Sequence, residues 1–159
     1  MSENQPETLD LKGEYIEHIH LLAGNRVGWD NLNLIYELEP AGEMPANRLT
    51  QHEIVISLGD FWASWEIKGN SWQQEHYTRG DIVIVPAGEV FPKVQIDRAV
   101  PIIVLLLAPE TLDNSCYEAV KSRKVHLSPQ FKLRDPLIEQ MGLALKTELE
   151  IGGVDSQAY

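Results

Sequence analysis

Cysteine is almost absent: Cys116 is the single one in 159 residues. That count excludes an intramolecular disulfide framework and any cysteine-built zinc cluster within one chain. Long apolar runs are missing as well. The longest, residues 100–108, falls well short of the roughly 20 residues that span a bilayer. Residues 1–10 are polar, acidic and proline-containing, unlike a signal peptide. A soluble, cytoplasmic protein without membrane contact is expected. Positive charge is scarce too, with 13 Lys and Arg against 24 Asp and Glu and a net charge of −11. Such a surface repels phosphate backbones, so no nucleic-acid binding by this chain itself is expected. There is also no G-x-S-x-G elbow, no phosphate-cradling glycine loop and no dinucleotide fingerprint.

What is present is β structure. With 43% hydrophobic residues the chain can bury a core, most simply as one domain with a short appendage. Between Tyr15 and Ala108, short β-branched and aromatic runs are broken by turn punctuation such as Pro40-Ala41-Gly42, Gly59-Asp60, Arg79-Gly80-Asp81 and Pro86-Ala87-Gly88. The pattern predicts strands over 15–22, 33–39, 53–58, 62–67, 72–77, 82–85, 93–96 and 102–107. Many short, evenly spaced strands imply an all-β sandwich or barrel. Residues 1–12 read as a polar, disordered leader, 13–108 as the barrel and 109–159 as a helical appendage.

Two C-terminal helices are expected there. Leu112, Cys116 and Val120 recur every four residues and predict a helix over 110–121, with Cys116 a small buried hydrophobe. A stronger helix starts with Asp135 as N-cap and Pro136 in the first turn, and is expected to end at Gly152-Gly153. Its apolar stripe contains Ile138, Met141, Leu145 and Leu149. This stripe either packs on the chain's own barrel or makes a homodimer, and a wide stripe can do both.

One motif is more specific. Gly80-Asp81-Ile82-Val83-Ile84-Val85-Pro86-Ala87-Gly88-Glu89-Val90-Phe91 resembles the second signature of the cupin barrels at every fixed position except the last, where Phe91 replaces a metal-binding histidine. The resemblance implies a mainly β, cupin-like jelly-roll barrel. The first cupin signature, counted back from Gly59, puts its glutamate on His52 and its two histidines within Pro45-Ala46-Asn47-Arg48. A single imidazole cannot hold a transition metal usefully, so no metal and no cofactor are expected. His18 and His20 share a strand face but read as surface or packing residues, and His76 and His126 are isolated.

A metal-free lumen still has chemistry. Trp29, Trp62, Trp65 and Trp72 fall in the strand-rich part, Trp62 and Trp65 on opposite faces of one strand. These rings either wall a small-molecule pocket or fill a small barrel. His52, Trp65 and Phe91 are the candidate ligand-binding residues. Glu37, Glu39 and Glu53 carry acid–base groups but read as solvated strand residues in so acidic a chain.

A closer resemblance runs through His52-Glu53-Ile54-Val55-Ile56-Ser57-Leu58-Gly59, Trp65-Glu66-Ile67-Lys68-Gly69, Arg79-Gly80-Asp81 and, most specifically, Pro129-Gln130-Phe131-Lys132-Leu133-Arg134-Asp135-Pro136-Leu137 with its following helix. These segments resemble the N-terminal half of AraC-family transcriptional regulators, over residues 29–159. The resemblance implies a small-molecule effector in the barrel and a homodimer through the C-terminal helix, with the DNA-binding half lacking from this chain. Catalysis is not expected. The alternative is a stand-alone small cupin, either a non-catalytic binding protein or a metal-independent sugar epimerase or isomerase with His52 as base.

Overall fold

The computed structural model describes residues 8–9, 15–16, 19–24, 29, 31–68, 71–110 and 128–157. The strands run in order as β1 (Thr8–Leu9), β2 (Tyr15–Ile16), β3 (Ile19–Gly24), β4 (Leu32–Glu39), β5 (Gly42–Met44), β6 (Asn47–Arg48) and β7 (His52–Ser57). After these come β8 (Phe61–Lys68), β9 (Ser71–Tyr77), β10 (Asp81–Val85), β11 (Val90–Phe91), β12 (Val94–Ile96), β13 (Val100–Leu107) and β14 (Gln130–Arg134). One helix, α1 (Pro136–Gln157), closes the described chain.

The strands form two antiparallel sheets, β2-β1-β5-β12-β8-β9 and β14-β10-β7-β13-β4-β3, plus a ribbon of β11 with β6. Apart from β1, β2, β3, β14 and the ribbon, eight strands divide as β10-β7-β13-β4 against β5-β12-β8-β9. That is the interleaved order of a jelly roll, in which successive strands cross between sheets. The fold is therefore mainly β and cupin-like. β13 explains its own composition. Pairing with β4 on one side and β7 on the other puts it at the centre of its sheet. Its Val100, Ile102 and Val104 turn to the interior, while Ile103 and Leu105 lie in a second cluster under α1. A strand covered on both faces reads as a continuous apolar run.

Four expectations change. The leader assigned to residues 1–12 contributes Thr8–Leu9 to a sheet, paired with Tyr15–Ile16 and with Glu43 of β5. The appendage is not purely helical: β14 adds to the edge of the second sheet beside β10. Among the described residues there is one C-terminal helix where two were expected; the helix expected over 110–121 falls, beyond Glu110, outside the described residues. The remaining helix runs through Gly152-Gly153 to Gln157. Glycine in a helix interior costs only about 1 kcal/mol relative to alanine, which a helix already docked on a barrel tolerates.

Docking of α1 is built from a few contacts. Asp135 Oδ1 accepts from the N–H groups of Leu137 at 3.0 Å and Ile138 at 3.2 Å, capping the helix start. Gly142 then lets the helix approach closely, since a Cβ there would lie 2.4 Å from Ile56 Cδ1. Leu149 is buried, and Ile138 and Leu145 pack on the cluster of Leu34, Ile56 and Ile103. Gly80, at a φ of 95° in the turn before β10, is contacted by the Glu139 carboxylate at a distance that leaves little room for a side chain.

Candidate functional site

Between the two sheets lies a cavity of about 960 Å³. Strand alternation decides what reaches it. On β4, Ile35 and Glu37 turn inward; on β7, Glu53 and Val55; on β8, Ala63 and Trp65. Across the second sheet, Glu53 and Asn33 are level with each other on either side of Leu106, and Glu37 is level with Ser57 across Ile102.

Trp65 and Phe91, both expected at the lumen, are there, buried and 5.5 Å apart between ring centroids. His52 is not. Its Nδ1 accepts the Ala87 N–H at 3.0 Å, and its neighbours Glu53 and Val55 point into the cavity. The motif count from Gly59 puts His52 at the signature's glutamate position, whereas in the continuous strand β7 the inward residues are Glu53 and Val55. The other two signature regions do meet: Phe91 pairs with Asn47, and Val90 with Arg48, in the ribbon. Asn47, Arg48 and Phe91 offer neither imidazole nor carboxylate, so this donor set does not fit a transition metal. Among the described residues no three His, Cys, Asp or Glu side chains group as a metal site. His18, His126 and Cys116 lie outside the described residues.

The carboxylates reverse their sequence reading. Glu37 is only 2% exposed, and Glu53 sits half-buried on the cavity wall. Burial first, and the charge of Glu37 second, push the Glu53 carboxyl up to about 7. The signal was available in the alternation: Glu37 shares parity with Ile35, and Glu53 with Val55, on strands whose inward face is otherwise apolar.

An aromatic relay leaves the cavity. Trp65 Nε1 donates to Tyr77 Oη at 3.0 Å, and the Tyr77 hydroxyl donates to the carbonyl of Phe131 on β14. The Phe131 ring also packs 5.3 Å from Trp65. Burial holds the Tyr77 phenol well above its ordinary range and so keeps it neutral, a proton donor. Beside this relay, Arg134 Nε pairs with the buried Asp81 at 3.2 Å, and its Nη2 donates to Thr78 Oγ1 at 2.5 Å and to the Arg79 carbonyl at 3.0 Å. β14 is thus clamped to the turn between β9 and β10. The other tryptophans lie elsewhere. Trp62 is exposed and stacks on His76, Trp72 is exposed, and Trp29 packs in the outer cluster.

Of the four residues expected to make a dimer, Leu149, Ile138 and Leu145 face the barrel, and Met141 stays exposed. The helix's free apolar line is instead Leu137, Met141, Ala144 and Ile151, all exposed.

No family model and no curated protein matches the chain. Among solved structures, it is similar to a candidate mannose-6-phosphate isomerase from Ralstonia eutropha JMP134, at 16% identity and a TM-score of 0.45 over 58% of this chain and 85% of that one. It is also similar to a candidate ethanolamine utilization protein Q from Salmonella typhimurium LT2, at 11% identity and a TM-score of 0.42 over 68% and 99%. A vicilin from Capsicum annuum matches at 18% identity and a TM-score of 0.39 over 51% and 23%. With TM-scores this low, the cupin-like fold rests on the strand order and not on these likenesses. No helix among the described residues is long and apolar enough to cross a membrane.

Proposed function

We propose that this chain is the effector-sensing and dimerising module of an AraC-type transcriptional regulator, metal-free and non-catalytic, with DNA read by sequence outside it. The observation that carries this reading is the relay from the cavity wall through Trp65 and Tyr77 to Phe131, a few residues ahead of α1. A ligand regulates only by binding two arrangements unequally. One that shifts Trp65 acts on the hydrogen bond anchoring β14, and through β14 on the helix. The segments that carry the AraC resemblance are also bound to each other: Arg134 holds Asp81 and Arg79, and Glu139 meets Gly80.

The dimer contact in this reading is the exposed line of Leu137, Met141 and Ile151. Sedimentation equilibrium of the wild-type chain and of a Leu137→Glu/Met141→Glu variant tests it. A wild-type dimer that becomes monomeric in the variant, with unchanged far-UV dichroism, supports the reading. A wild-type monomer sinks it and leaves a stand-alone binding protein. The sugar epimerase alternative relied on His52 as base, and the position of His52 outside the cavity counts against it.

A further inference from the structure

The cavity is chemically two-sided. Trp65 from β8 and Phe91 from the ribbon give it a buried aromatic surface. The opposing sheet contributes Glu53, Glu37 and Glu39. Among the described residues, the Glu53 carboxyl has no hydrogen bond or ion pair to a protein group. A buried carboxyl group beside a second carboxylate is costly to ionise without a counter-charge, so the cavity is complementary to a cation.

Resting on the reading of this cavity as the effector site, we propose that its ligand is an organic cation, a primary ammonium carried on an aromatic or branched apolar body. The ammonium sits against Glu53 with Glu37 as its second negative neighbour, and the body lies on Trp65 and Phe91, where cation and ring contacts are both favourable. Among the described residues, the other ionisable groups facing the cavity are Glu39, Arg48 and Tyr77. Arg48 is exposed, with Nη1 donating to the Gly88 carbonyl at 2.5 Å, and the Tyr77 hydroxyl is committed to Phe131. Ammonium binding needs the ionised carboxylate. Glu53 is pushed up to about 7, so near that pH its proton passes to solvent as the ion pair forms.

Isothermal titration calorimetry of the whole chain with phenethylamine, phenethyl alcohol and phenylacetate tests the class. Phenethylamine should bind best, with affinity about tenfold higher at pH 8 than at pH 6, as the ionised fraction of Glu53 changes. Titrations in buffers of different ionisation enthalpy should show proton release near pH 6.5, and Glu53→Gln, an isosteric change that removes the burdened acid, should weaken the amine by roughly tenfold or more and abolish the release. Equal or tighter binding of the alcohol or the acid, an unaffected E53Q variant, or no amine binding up to millimolar concentration each overturns the proposal. Sedimentation with each probe separates it from the sensor reading. Amine binding without a change in dimerisation retains the ligand class and rejects the sensor, whereas a shift driven only by alcohol or acid does the reverse.

Discussion

Glu53 is the residue whose environment makes the sharpest demand. Its carboxyl moves from an ordinary value of 4.5 to about 7 in the fold, so the native state holds that proton more tightly than the unfolded chain. Its contribution to stability is therefore complete below pH 4.5 and lost as pH rises through 7. Relative to an E53Q variant, wild-type unfolding free energy should decline across that window by on the order of 3 kcal/mol at most, measurable by urea denaturation at several pH values. A flat difference would place Glu53 in water. Tyr77 makes a different demand, because its hydroxyl serves two partners at once. Tyr77→Phe leaves the Trp65 N–H and the Phe131 carbonyl short of a partner and should cost about 1–3 kcal/mol. It should also blunt any ligand-induced change at the helix while keeping the shape of the cavity, since only a hydroxyl is removed. Loss of ligand binding in that variant would mean that Tyr77 touches the ligand itself.

At the scale of elements, the helix–barrel seam depends on one glycine and one arginine. Alanine is the better helix former by about 1 kcal/mol, yet Gly142→Ala brings a methyl onto Ile56 in a filled core. Overpacking of that kind costs about 1–3 kcal/mol. The net expectation is a lower melting temperature, read by differential scanning calorimetry; a higher one would mean that the seam is loose. Arg134 ties β14 to the β9–β10 turn through Asp81, Thr78 and Arg79. Arg134→Ala should increase amide exchange selectively in β14 and α1, leaving β13 protected, because only the first two depend on that clamp. Uniform loss of protection would indicate a single cooperative unit instead.

At the scale of the whole molecule, charge opposes association. Each chain carries −11, so the proposed dimer would bring two strongly negative bodies together, with the apolar line of Leu137, Met141 and Ile151 to hold it. Raising ionic strength from about 0.05 to 0.5 M screens the repulsion, with a Debye length falling below about 10 Å, and should tighten the dimer several-fold by sedimentation equilibrium. An interface built on ion pairs would weaken instead.

That the chain is an all-β sandwich or barrel was legible in local signals, and the jelly-roll form was implied by the cupin resemblance. Alternating apolar residues, a doubly covered strand at 100–107 and the Gly80, Pro86 and Gly88 turns follow from backbone sterics and a pleat with a period of two. The cap at Asp135 followed from the same local rules, the lumen position of Phe91 came from the cupin resemblance, and the choice between Trp62 and Trp65 was settled by the fold. The partners of those residues were not legible. The motif count points to His52, but the register of β7 turns Glu53 inward instead. β14 joined a sheet across a long separation in sequence, and the approach allowed by Gly142 decided which edge of the helix stripe was buried. Local patterning accounts for the main barrel strands and their turns, but not for β1, β5 or β14. Which carboxylates face the lumen and which apolar line faces out was set in the folded molecule, because both depend on register and packing between distant segments.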